Sequence, residues 1–334
     1  MQKRPSHRTS LIARIVAVLS VFVLLAIVTT VYPFNSTQLN EQERHEWEQL
    51  IQRFHEPRAM GLLIEPLVGG IHGGGLKISE EMMNLVTVFY GNSGRQPAIN
   101  TREFKNRIAS FLNSDNDDNV TCAAIMLGIT GDLSFAPQLA TLLDKRDPPD
   151  VHGNFSRTSV AFALSLMGAK DYVPKVALML KSKHAQYRAS AAIALGQFKA
   201  KEYAKDVAKL LDDELVKADA AKVLAIMGAS EYADQVARLL NDNDETNRIA
   251  ALLALGIMRA NKYQQRVARH LKEADDIVRF CAAIALVLMD ADRYAKTITP
   301  KMKRFYRENS RWLEQEFDPL VPDELQQIDS RFRN

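Results

Sequence analysis

Aromatic residues recur along the chain at a near-constant interval. Tyr172, Tyr203, Tyr232, Tyr263 and Tyr294 follow one another at spacings of 31, 29, 31 and 31. Phe135 takes the same phase one unit earlier, across a gap of 37 that holds Asp147-Pro148-Pro149-Asp150 and Gly153, a turn-rich insertion. Eight residues before each aromatic is a leucine: Leu127, Leu164, Leu195, Leu224, Leu255 and Leu286. Eleven before are Ala124, Ala161, Ala192, Ala221, Leu252 and Ala283, and five before are Thr130, Met167, Phe198, Met227, Met258 and Met289. Four after are Leu139, Val176, Val207, Val236, Val267 and Ile298. Fifteen before runs a basic ladder, Arg157, Arg188, Lys217, Arg248 and Arg279, which Val120 breaks in the first unit. Apolar identity repeating in several phases at once marks an internal repeat of about six units.

Each unit predicts two helices. Arg188 through Phe198 keeps apolar residues at i, i+3, i+4 and i+7, a turn follows around Ala200-Lys201-Glu202, and Tyr203–Leu211 forms the second helix. Asp212-Asp213, Asn241-Asp242 and Asp275-Asp276 stand where the next helix needs an N-cap. Alanine where two helices cross lets their backbones approach. Period-2 alternation is absent, so the expected class is all-α. Outside the repeats the pattern predicts a polar helix over 37–57, a glycine-rich loop at Gly69–Gly75, and helices at Ser79–Tyr90 and Thr101–Leu112. Lys301–Phe317 is expected as a cap helix and Asp318–Asn334 as a tail with Pro319 and Pro322.

The segments Asp276-Ile277-Val278-Arg279-Phe280-Cys281-Ala282-Ala283-Ile284-Ala285-Leu286 and Arg188–Gly196 follow the pattern Asp, then Val-Arg-x-x-Ala-Ala-x-Ala-Leu-Gly. Over about residues 100–305 the chain resembles HEAT repeats, particularly the HEAT-like type of phycobilisome lyases. The resemblance implies an α-solenoid of about six helix pairs with the Arg-bearing helix on the concave side. It also implies that the ladder bases meet the inter-repeat Asp residues in charge-assisted hydrogen bonds. Val120, Ser156 and Asn247 depart from the Val-Arg pattern.

The N-terminus changes the picture of address. Ile15–Tyr32 is an 18-residue run without charge, about 27 Å as a helix against a hydrocarbon core of ~30 Å. It ends in Thr29-Thr30-Val31-Tyr32-Pro33-Phe34, without the small-x-small pair of a cleavage site, so a retained anchor over 11–32 is expected in preference to a cleaved signal peptide. Lys3, Arg4, Arg8 and Arg14 precede it, whereas 33–50 hold Arg44 beside four glutamates. The positive-inside bias places residues 1–10 in the cytoplasm and the bulk outside it, in a periplasm for a bacterial protein. The remaining chain divides into 33–100, a juxtamembrane helical region; 101–305, the repeats; and 306–334, cap helix and tail. Net charge is +3, with four of the 43 basic residues and none of the 40 acidic ones in residues 1–35. The rest is close to neutral, so no nucleic-acid partner is expected.

Candidate chemistry is sparse. His45-Glu46 and His55-Glu56 lie outside the repeats, ten positions from each other and so roughly 80° apart around a helix, and no metal site is expected. In Gly73-Gly74-Gly75-Leu76-Lys77-Ile78-Ser79, Leu76 interrupts the Gly-Lys-Ser of a phosphate loop. Asp115-Asn116-Asp117-Asp118-Asn119 lacks the Gly and the bidentate Glu of a calcium loop and suits a helix-capping turn. Cys122 and Cys281 share a repeat phase five units apart, too far for a disulfide. No catalytic constellation and no cofactor site emerges.

The faces of the helices carry the functional expectation. Two and three residues past the aromatic are Lys205 and Asp206, Asp234 and Gln235, Gln265 and Arg266, a solvated convex face. In the Arg-bearing helix the position two before the core Leu lies about 200° round from it. It holds Ile125, Phe162, Ile193, Lys222, Leu253 and Ile284, beside a stripe of Ile129, Leu166, Gln197, Ile226, Ile257 and Leu288. Apolar residues away from the core mark either a superhelix packed on itself or a groove for a hydrophobic segment of a protein partner. The expected function is a membrane-anchored interaction module or assembly scaffold. The alternatives are a bilin-lyase-like enzyme, or a chaperone for membrane-bound or secreted clients.

Overall fold

The computed structural model describes residues 79–91, 101–144 and 156–291, with residues 294, 299, 300, 302–304, 328 and 332. The expected anchor 11–32, the helix at 37–57, the Gly69–Gly75 loop, both His-Glu pairs and the cap helix beyond residue 304 lie outside the described residues. Among the described residues every regular element is helical. None of those helices is long and apolar enough to cross a membrane.

The chain forms two compact units, Met1–Leu142 with Asp150–Met167, and Leu143–Pro149 with Gly168–Asn334. The first contains α1 (Glu80–Gly91), α2 (Arg102–Ser110), α3 (Asp117–Thr130), α4 (Ala136–Thr141) and α5 (Ser156–Leu166). The second contains α6 (Val173–Leu178), α7 (Ala185–Gln197), α8 (Ala204–Lys209), α9 (Lys217–Ile226), α10 (Ala233–Val236), α11 (Glu245–Ile257), α12 (Gln264–Arg269) and α13 (Asp276–Leu288). Odd-numbered helices from α3 onward are the first helices of the repeats; the even-numbered ones are the second. Each second helix is only four to six residues of α-helix, entered through a 3₁₀ turn that ends at the repeat aromatic, as in Lys201–Tyr203.

The repeat phases are the core. Leu127, Leu164, Leu195, Leu224 and Leu255 are fully buried and Leu286 is nearly so. Leu139, Val176, Val207, Val236 and Val267, four past the aromatic, are fully buried too. Within the second unit each first helix packs on the next, α7 on α9, α9 on α11 and α11 on α13. Glycine sets their spacing: a Cβ on Gly256 would lie 2.8 Å from the Ala285 Cα, and one on Gly196 3.3 Å from Val223. Within the first unit Gly128 meets the Ala163 Cα at 2.7 Å in the same way. Each glycine stands seven before its aromatic, and each neighbour nine before the next.

The end of every first helix repeats as well. Four residues before the aromatic the backbone turns left-handed at Gly131, Gly168, Lys199, Gly228, Arg259 and Asp290. One residue on, the N–H of Ala200, Ala229, Ala260 and Ala291 donates to the carbonyl of Leu195, Leu224, Leu255 and Leu286 at 2.9–3.0 Å. That is the Schellman closure, and it gives the repeat leucine a second role as acceptor. Lys199, Arg259 and Asp290 adopt this conformation without glycine's freedom.

Two expectations need correction. Of the expected caps, Asp275 does cap α13, accepting from the N–H of Ile277 and Val278. Asp213 and Asp242 instead brace the preceding turns, accepting from the N–H of Leu215 and Asp244, and Asp244 is the cap of α11. Asn116 caps α3, so the Asp115–Asn119 run is a capping turn. On the convex face Lys205, Asp234 and Gln265 are exposed, but Arg266 is half-buried. It donates to the Ala237 carbonyl at 2.7 Å and lies over the Tyr263 ring.

Candidate functional site

The basic ladder of the second unit links successive inter-repeat loops. Arg188 bonds Asp213 through Nε at 2.7 Å, Lys217 lies 2.7 Å from Asp242, and Arg248 lies 3.6 Å from Glu273. The carboxylate follows the base at the same spacing in all three, on the loop that closes the base's own helix pair. Each arginine also reaches back to a carbonyl six residues earlier: Arg188 to Ser182, Arg248 to Asp242, Arg279 to Glu273. Arg279 pairs instead with its own-helix Asp276, because position 304 is an arginine and no carboxylate follows at the repeat spacing. Arg157 is buried at the start of α5, in the first unit.

Lys217 is the rung with the least solvent. Its side chain is 8% exposed and its Nζ donates to Glu214 at 2.6 Å as well as reaching Asp242. The Lys217 hydrogen bond holds the Asp242 carboxyl down at about 2, and the two carboxylates raise the Lys217 ammonium. Asn247 and the Asp244 N–H add two more donors to Asp242.

This rung is the floor of a polar cleft of about 620 Å³, walled by Glu214, Gln235, Arg238, Asn241, Asn243 and Asp244. Sequence reasoning did not find it. The run Asn241-Asp242-Asn243-Asp244 was legible only as a capping turn, since the cleft forms where two consecutive loops and α10 meet. Both signs of charge line it, which suits a polar segment better than an anion or a cation alone.

The six stripe residues do not share one environment. Of the two alternatives, packed face or open groove, Ile125, Phe162, Leu253 and Ile284 fit the packed face, at 0–4% exposure. Ile193 and Lys222 are half-buried and reach solvent. Packing explains the difference: α3 has α1, α2 and α5 against it, so residues 119–130 are buried without exception. Leu253 is covered between α9 and α13, while Ile249 and Ile257, one turn to either side of it, stay half-open. The open face therefore runs through Ile193, Lys222, Ile226, Ile249 and Ile257.

Cys122 and Cys281 are buried thiols outside any disulfide, and burial pushes the Cys122 thiol up to about 12. Among the described residues no group of His, Cys, Asp and Glu is arranged to hold a metal ion.

Helix pairs stacked at a near-constant period, bonded loop to loop by a base and a carboxylate, define an all-helical repeat protein. The family model described as HEAT repeats matches residues 211–287, from the loop before α9 to nearly the end of α13. Among solved structures the chain is similar to the complex of CpcE and CpcF of phycocyanin lyase from Nostoc sp. PCC7120. Identity is 19% and the TM-score 0.49, covering 71% of this chain and 97% of that chain. No curated protein matches.

Proposed function

We propose that this chain is a membrane-held HEAT-repeat scaffold, an α-solenoid that binds a protein partner through the face of its first helices. In this reading 11–32 anchor the chain with its N-terminus cytoplasmic, and the repeats work on the extracytoplasmic side. The observation that carries the binding reading is the half-open apolar row on α11, Ile249 and Ile257, continued by Ile226 on α9. Lys222 interrupts the row and gives it one charge, enough to fix the register of a bound segment. A large apolar side chain buried there contributes roughly 1.5–3 kcal/mol, at least tenfold in affinity.

The test uses tagged full-length chain isolated from native membranes, with the co-purifying proteins identified by mass spectrometry. Ile257→Asp and Ile226→Asp are expected to remove one specific partner while helical content by circular dichroism stays at the wild-type level. Phe162 and Leu253 are unsuitable for this purpose because a carboxylate at either buried position would unfold the domain. A partner retained by both variants would overturn the reading. Recovery of residues 1–30 in the mature protein tests the anchor, and a bilin chromophore on the purified chain would favour the lyase alternative.

A further inference from the structure

The last first helix differs from the others of its unit on one face. Positions fourteen, ten and six before the repeat aromatic stand at i, i+4 and i+8, one above another on a helix. In α7 they are Ala189, Ile193 and Gln197, and in α9 Ala218, Lys222 and Ile226, all half-buried. In α13 they are Phe280, Ile284 and Leu288, none more than 1% exposed. The chain thus carries a phenyl ring where α7 and α9 carry a methyl group. Phe332 packs on that ring edge-to-face, with centroids 5.5 Å apart and the planes at 76°. Ile328, one helical turn earlier, is buried at 2% and Phe332 at 0%. Both are helical. In sequence, Leu325, Ile328 and Phe332 stand at i, i+3 and i+7 among Asp323, Glu324, Gln326, Gln327, Asp329, Arg331 and Arg333, the pattern of an amphipathic helix.

We propose that the Phe280–Ile284 face of α13 is a docking site for an amphipathic helix bearing an aliphatic and an aromatic residue four apart, and that residues 323–334 are its ligand in cis. The segment is a ligand rather than a further repeat because it brings no leucine-alanine ladder of its own. The stretch 305–322 joins it to the last described residues of the repeat region, 302–304. Such a tether holds it at an effective concentration in the millimolar range, well above a free competitor. Aromatic edge-to-face packing adds to the area buried and makes Phe332 the anchor. The site is separate from the α7–α11 face and stands whether or not that face captures a partner.

The experiment uses the full-length chain and, as probe, a fluorescently labelled peptide of residues 323–334, read by fluorescence anisotropy. Phe332→Ala in the chain weakens the tethered competitor, so the peptide is expected to bind this variant at least tenfold more tightly than the wild type. Adding Phe280→Ala to the same chain is expected to lose that gain. Three results would overturn the proposal: equal binding to wild type and Phe332→Ala, no binding to either, or binding indifferent to Phe280. Loss of helical content in Phe332→Ala would also sink it, since Phe332 would then be core.

Discussion

First and second helices of the same repeat are cut from one short stretch of chain, yet they obey different rules. The first helices run ten to fourteen residues, and in the second unit α9 and α11 each lie between the first helices that precede and follow them. The second helices are short pieces of α-helix between 3₁₀ turns, and show Lys205, Asp234 or Gln265 to solvent. What differs is the number of neighbours. A helix with helices on both sides is left only a narrow half-buried face, as at Lys222 and Ile226 of α9, whereas a helix at the outside keeps a solvated one.

The largest expected effect separates the two layers outright. Leu224→Asp puts an unpartnered carboxylate at a fully buried position of α9 and should cost several kcal/mol in chemical denaturation, enough to unfold the domain. Lys205→Ala, exposed on α8, should change stability by less than about 0.5 kcal/mol in the same measurement. Similar losses from both would mean that the layers are not distinct.

A smaller effect tests how the first helices are spaced. Gly256→Ala should destabilise by about 1–3 kcal/mol, although alanine is the better helix former, because the new methyl meets the Ala285 backbone. At Gly196 the neighbour is a valine side chain at 3.3 Å, and the same change should cost less. Thermal melts of the two variants side by side decide the point, and the reverse ranking would place the tight crossing elsewhere.

The smallest effect concerns the loops that join the layers. Asp242 titrates near 2 when folded, against 3.8 ordinarily, so its contribution is complete above about pH 4 and fades as pH falls toward 2. Lys217→Met removes the cause. It should lose about 1–2 kcal/mol at pH 7, and its deficit relative to wild type should shrink between pH 4 and pH 2. Denaturation midpoints across that range measure it; a deficit independent of pH would assign the loss to packing rather than to the carboxylate.

By itself the sequence determined the period, the helix pair within it, and which residues form the core. Six leucines in one phase can be satisfied only by burial in equivalent places, and the residues of that ladder are buried. The resemblance to HEAT repeats implied the base-to-carboxylate pairing, which Arg188, Lys217 and Arg248 make and Arg279 does not. Only the tertiary structure decided which faces stay open. Ile193 and Ile284 occupy the same phase with the same side chain, yet one is half-buried and the other fully covered. Phe332, far along the chain, packs on Phe280, one turn before Ile284 on the same face of α13. Gly256 could be seen in the sequence but its role could not, since a close approach is a property of two helices. The polar cleft is hidden for the same reason: Glu214, Arg238 and Asn243 line one surface only because successive repeats bring their loops together. Periodicity records what each residue needs from its own helix, and exposure depends on what the rest of the chain lays against it.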